Sequence, residues 1–148
     1  MVHALEEIHR LLKPAGALFD IHPVAESSPV EIHQSGNIQL VGYLSVRQWC
    51  MDYQKAHNAL TEIAQRGLFT IDQQSVFDSM TYYPSAAEMG TSLIELVDKF
   101  ARDSQSAGEA IPHIEALAAR AEELMQAAGS GAELRVVEWT HISRLRPI

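Results

Sequence analysis

The stretch Leu11-Leu-Lys-Pro-Ala-Gly-Ala-Leu-Phe-Asp-Ile-His-Pro23 contains a helix end, a tight turn and a short apolar segment. The residues before it repeat apolar side chains at the helical period, which predicts a helix that ends near Leu12. Pro14 cannot continue that helix, and Gly16 permits the backbone reversal that must follow. The apolar run 17–21 is bounded by turn residues, a pattern typical of a strand that is covered on both faces.

The residues from Glu7 to Gly16 resemble a known signature. It is the E-h-x-R-h-L-K-P-G-G motif of class I S-adenosylmethionine-dependent methyltransferases, which ends the helix before the fifth strand of their sheet. The matching positions are Glu7, Arg10, Leu12, Lys13, Pro14 and Gly16, and Ala15 replaces the first glycine of the usual pair. The motif is a turn and packing element, so it indicates a fold and no catalytic residue. The resemblance implies that residues 17–23 form the fifth strand.

The remaining elements follow from local patterns. Two alternating segments flank Ser35-Gly36-Asn37, which predicts a β-hairpin over residues 30–44. Helical periodicity follows up to Gly67, then an extended segment over 68–83, two further helices and a final strand over 133–146. Together with the resemblance, this order implies an α/β chain with a partial Rossmann-like methyltransferase fold. We expect a single domain over residues 1–148, with a small mixed sheet of strand order 5-7-6, helices and an extra β-hairpin.

The cofactor-binding part of the family pattern has no counterpart here. In the family, S-adenosylmethionine sits on a glycine-rich loop between the first strand and the next helix, where backbone can approach a ligand closely. The close pair Gly129 and Gly131 follows a helix and precedes a strand, which is the reverse order. We therefore expect the resemblance to cover the carboxyl-terminal half of the fold. The isolated chain should bind no cofactor, and S-adenosylmethionine only if an amino-terminal half completes it.

The missing half has a consequence for the partners of the chain. In a whole methyltransferase the fourth strand lies beside the fifth, so here the fifth strand should keep a free apolar edge that recruits another strand. The expected interface residues are Ala17, Leu18, Phe19, Asp20 and Ile21. The simplest result is a two-fold homodimer. Exchange of the hairpin 30–44, or docking of a separately encoded amino-terminal half, are the alternatives.

Composition narrows the class of protein. The chain has 148 residues, of which 47% are hydrophobic and 20% charged, as expected for a folded globular protein. Its net charge of −8 argues against nucleic acid or an anionic membrane as the main partner, since both require a basic surface. The single cysteine, Cys50, cannot form an internal disulfide. With no long apolar run and no leader pattern, we expect a cytoplasmic protein.

Few residues suggest chemistry. Asp20 and His22 share one face at the carboxyl end of the predicted strand, where open α/β sheets bind ligands. Tyr53 and Tyr82 could line a site for a flat or apolar ligand, although aromatic residues at such spacing more often belong to a core. His3 and His9 lack the i, i+4 spacing of a helical metal pair, so we expect no metal site. No G-x-S-x-G elbow is present, and no catalytic residue can be assigned.

Three functions remain open. The first is an oligomeric binding or structural module, similar to half a methyltransferase and without its own S-adenosylmethionine site. The second is the carboxyl-terminal part of a methyltransferase that another chain completes, or whose gene start has been placed too late. The third is a small enzyme or ligand-binding protein with a new pocket at the dimer seam.

Overall fold

A computed structural model describes residues 1–100 and 104–148 of the chain. In chain order its elements are α1 (Val2–Leu11), β1 (Leu18–Pro23), β2 (Ser28–Gln34), β3 (Asn37–Leu44), α2 (Arg47–Gln65), β4 (Phe69–Tyr83), α3 (Ala86–Phe100), α4 (Ser104–Ala128) and β5 (Glu133–Pro147). The α/β class and the order of helices and strands predicted from the sequence are confirmed. Within the described ranges, no helix has both the length and the apolar character needed to cross a bilayer.

The five strands form one open sheet. Its order is β1-β5-β2-β3, and β4 also pairs with β5. The sheet is antiparallel where we expected a mixed one, because the last strand, β5, runs against the direction of both β1 and β2. The predicted hairpin is confirmed as β2 and β3. Its turn contains Ser35 and Gly36, both with positive φ, as a two-residue hairpin loop requires.

The chain forms two compact units. The first consists of Met1–Ala25, Trp49–Asp78 and Trp139–Ile148, and the second of Glu26–Gln48 and Ser79–Glu138. The strands β4 and β5 contribute residues to both units. The single domain expected over residues 1–148 stays a prediction.

The core of the first unit is an apolar cluster between two helices and the sheet. The helix α2 buries side chains at i, i+3, i+4 and i+7, so one stripe of its surface meets the other elements. The buried members of the cluster are Leu5, Ala59, Leu60, Ile63, Phe69 and Leu145. Burial of the leucine, isoleucine and phenylalanine side chains contributes roughly 1.5–3 kcal/mol each. The helices α1 and α2 are therefore held to the strand face that carries Leu145.

Strand β1 is covered on only one face, which corrects the expectation of two. Leu18 lies opposite Leu145 and packs against the core cluster. The alternate side chains Phe19 and Ile21 are 60% and 61% exposed. Because side chains along a strand point to opposite faces in turn, helices on one face leave the other without cover.

The second unit combines the hairpin with a pair of helices. Ser85 caps α3, since its Oγ accepts the backbone N–H of Glu88 at 3.1 Å. The helices α3 and α4 approach closely where Gly90 faces Ala118. Strand β2 pairs with the first part of β5, so the hairpin joins the sheet through that strand.

Candidate functional site

Two histidines lie side by side on neighbouring strands of the first unit. The register of β1 and β5 places His22 directly opposite His141, and Asp20 opposite Ser143. Residues directly opposite each other in an antiparallel pair point to the same face. Side chains two residues apart on a strand point to the same face, so these polar residues share the face of Leu18 and Leu145. That face is the one covered by α1 and α2.

The helix α2 adds a third histidine. His57 lies one turn before the buried residue Leu60, so both lie on neighbouring parts of one helix surface. The His57 ring centroid is 6.1 Å from that of His22 and 5.7 Å from that of His141, while the two strand rings are 5.3 Å apart. One nitrogen of each ring lies within 4.8 Å of those of the other two. We call these three residues the histidine cluster.

Polar partners orient the two strand histidines. Nδ1 of His22 lies 2.5 Å from Oδ2 of Asp20, and Nδ1 of His141 lies 3.3 Å from Oγ of Ser143. The same hydroxyl oxygen accepts a hydrogen bond from Nε2 of Gln74 at 3.3 Å. Both partners engage Nδ1, so Nε2 is the ring nitrogen of each strand histidine that a ligand would use.

The surroundings of His141 favour the uncharged form of its imidazole ring. Burial lowers the pKa of His141, and the neighbouring charges of His22 and then His57 lower it further, while Asp20 acts in the opposite direction. His22 is 8% exposed, whereas His57 is open to solvent. The cluster therefore has an enclosed side on the sheet and an accessible side on the helix.

The residues singled out from the sequence lie in different places. Asp20 and His22 are in direct contact in the first unit. Tyr53 is half-buried on α2, one turn before His57. Tyr82 belongs to the second unit and is 56% exposed. Sequence reasoning did not identify His57 and His141, since neither lies at a spacing that suggests a shared site.

The uncovered face of the first unit is partly apolar. Phe19 lies opposite Arg144, and Ile21 opposite Ile142, so all four side chains share this face. A shallow pocket here is lined by Phe19, Gln73, Gln74, Ser75, Ile142 and Arg144. Hydrogen bonds from the guanidinium groups of Arg146 and Arg144 lower the pKa of Asp72. That ion pair fixes β4 to β5 at the border of the pocket.

The second unit contains a smaller polar network with a structural role. Arg135 donates to Oε2 of Glu31 through Nε at 3.2 Å and Nη2 at 3.0 Å. His33 Nε2 lies 3.1 Å from the same oxygen. Glu31 and Arg135 are register partners on β2 and β5, so the network stabilises the pairing of these strands.

The chain was compared with protein-family models, with curated proteins and with solved structures, and none of the three comparisons found a match.

Proposed function

We propose that this protein is an association module, a methyltransferase-like half-domain whose β1 edge pairs with β1 of a second copy. The observation that carries the proposal is an apolar strand that is partnered along one edge and uncovered on one face. Among the described residues, β1 pairs with β5 alone. The module has no S-adenosylmethionine site of its own in this proposal, and its ligand is polypeptide.

The backbone of β1 offers hydrogen-bonding groups to a partner strand. The N–H of Val24 donates to the carbonyl oxygen of Trp139 at 2.7 Å, so this residue faces β5. The direction of the backbone N–H and C=O groups alternates along a strand. His22 and Asp20 therefore also direct their backbone groups towards β5. Phe19 and Ile21 direct their N–H and C=O groups to the opposite edge. These are also the two residues with exposed apolar side chains.

Within residues 17–21 little on this edge discourages pairing, and the proline of β1, Pro23, lies at the end of the strand. Natural sheet edges are protected by lysine, proline, bulges or inward-pointing charges. Within residues 17–21 the only charged residue is Asp20, whose carboxylate is engaged by His22 on the helix-covered face. A two-fold axis would bring Phe19 and Ile21 of two copies together, because an isologous interface uses the same patch twice.

The strand pairings support the methyltransferase-like, Rossmann-like assignment. Strand β5 pairs with both β1 and β4, as the order 5-7-6 requires when β1 is the fifth strand of the family and β4 the sixth. The hairpin of β2 and β3 and the helices α3 and α4 would then be additions to this half-fold.

A cytoplasmic location belongs to the same proposal, and the lone Cys50 fits a reducing compartment.

The positions of the glycines support the part of the proposal that omits an S-adenosylmethionine site. Those with positive φ are Gly36, Gly67, Gly129 and Gly131. Gly36 joins two strands, and the other three follow a helix and lead into a strand. The cofactor loop needs glycines between a strand and the next helix, so that the helix N-terminus faces the ligand.

The test is the oligomeric state of the purified chain by sedimentation velocity at micromolar concentration. We expect a dimer, and we expect Ile21→Lys to convert it to a monomer, since a lysine on each copy places like charges in the seam. The matched control is Ile38→Lys, because Ile38 on β3 is 60% exposed and Ile21 is 61% exposed. Circular dichroism checks that both variants remain folded.

Three results would contradict the proposal. A monomeric wild-type chain would favour the alternative, in which a separate amino-terminal methyltransferase half occupies the β1 edge. Loss of the dimer in Ile38→Lys and not in Ile21→Lys would assign the association to the hairpin. Binding of S-adenosylmethionine by the isolated chain in isothermal titration would give it a cofactor site.

A further inference from the structure

We propose that the histidine cluster binds one divalent transition-metal ion of the zinc class, with His22, His57 and His141 as its ligands. This site is independent of the association proposed above, because the cluster lies on the helix-covered face of the sheet. Neutral imidazole is a preferred ligand of zinc, copper, nickel and cobalt.

The spacing of the three rings suits a tetrahedral ion. Zn–N bonds of about 2.0–2.1 Å place the nitrogens of a tetrahedral site about 3.3–3.4 Å apart. The nitrogens of the cluster lie within 4.8 Å of one another, so side-chain rotation has to close at most about 1.5 Å. His57 can make that adjustment because it is exposed on α2, whereas His22 and His141 are held by their partners.

The orienting groups are those that a metal site needs. Metal-bound histidines donate their second N–H to a carboxylate, a carbonyl or another polar group, which sets the tautomer and orients the ring. Asp20 meets this requirement for His22, and the hydroxyl of Ser143 contacts the corresponding nitrogen of His141. Both act on Nδ1, which directs Nε2 of each ring to the ion.

The exposed side of the cluster is accessible to an ion, because His57 is open to solvent. The exposed side at His57 gives the ion an entry path and leaves the fourth tetrahedral position to water or a small anion. Three protein ligands with one open position are typical of accessible zinc sites.

The experiment is a titration of the full chain, without a polyhistidine tag and freed of metal by chelation, with Zn²⁺ and Co²⁺. Zinc is measured by competition with a chromogenic chelator, and cobalt by its visible absorption, which is intense for tetrahedral coordination. We expect one ion per chain. We expect His57→Ala to lower the affinity at least about tenfold and Asp20→Asn about 10–100-fold.

The control is His3→Ala, because His3 is also an exposed helical histidine but lies outside the cluster. Its zinc affinity should equal that of the wild type. Circular dichroism and thermal melting in chelator should show that His57→Ala remains folded, since that side chain is exposed. The proposal is overturned if the wild type binds neither ion specifically, or if His57→Ala and His3→Ala bind zinc equally. Failure of the dimer test leaves this result unaffected.

Discussion

Glu138 on β5 shows how burial affects a single charge. Burial raises the pKa of its carboxyl above the ordinary value of 4.5. Tyr83 responds in turn, since burial and then the negative charge of Glu138 raise the pKa of its hydroxyl. A carboxyl whose pKa is raised on folding holds its proton more tightly in the folded state. The stabilisation that the protonated Glu138 carboxyl contributes is therefore fully present below pH 4.5, and it is lost as the pH rises through the pKa of this group in the folded state.

We expect Glu138→Gln to be more stable than the wild type at pH 7, because the amide removes a partly desolvated charge. The difference should shrink as the pH is lowered towards 4, where the wild-type carboxyl is protonated. Urea unfolding at pH 4, 5, 6 and 7 measures this. The control, Glu133→Gln, changes an exposed carboxylate of the same strand and should alter stability less. A Glu138→Gln curve parallel to that of the wild type at every pH would refute the prediction.

At the level of elements, the helices α3 and α4 pack closely at one glycine. A Cβ atom at Gly90 would lie 3.2 Å from Cβ of Ala118, which is tighter than ordinary van der Waals contact. A Cβ atom at Gly108 on α4 would meet no described atom within 4 Å, apart from its chain neighbours and its own helix backbone. Both are helical glycines, so they differ in packing far more than in backbone propensity.

We expect Gly90→Val to destabilise the protein by about 1–3 kcal/mol, since a larger side chain must force the two helices apart. Gly108→Val should change the free energy of unfolding by less than about 0.5 kcal/mol, because it adds exposed atoms to a helix surface. Denaturant unfolding of the pair separates packing from propensity. Equal effects of the two substitutions would show that the close approach of α3 and α4 does not contribute to the free energy of unfolding.

For the whole molecule, the net charge of −8 opposes the association proposed for β1. Two copies repel each other over a distance that salt shortens, from a Debye length of about 30 Å at 0.01 M to about 8 Å at 0.15 M. Exposed apolar side chains on β1 act in the opposite sense, and their contribution does not depend on this screening.

We therefore expect dimerisation to strengthen with ionic strength between 10 and about 150 mM salt. The melting temperature should also rise with protein concentration, because association stabilises the folded state by mass action. Differential scanning calorimetry at two concentrations and two salt levels tests both effects. In Ile21→Lys the concentration dependence should disappear. A wild-type melting temperature that is independent of concentration would count against the dimer.

Local rules of the chain determined its elements. The helical period, the break at Pro14 and Gly16, and the turn at Ser35-Gly36 predicted α1, β1 and the β2–β3 hairpin, since each rule acts within a few residues. The same rules placed Asp20 and His22 on one strand face, where they are in contact. All of this required only neighbours in sequence.

Only the tertiary structure decided what faces those residues. The register of β1 against β5 brings His141 to His22, and the packing of α2 brings His57 to both. Three distant segments meet there because strand pairing and helix packing join residues without regard to their spacing. The same packing covers one face of β1 and leaves Phe19 and Ile21 exposed. An apolar run has the same sequence pattern whether one of its faces or both are buried, so its composition could not distinguish the two.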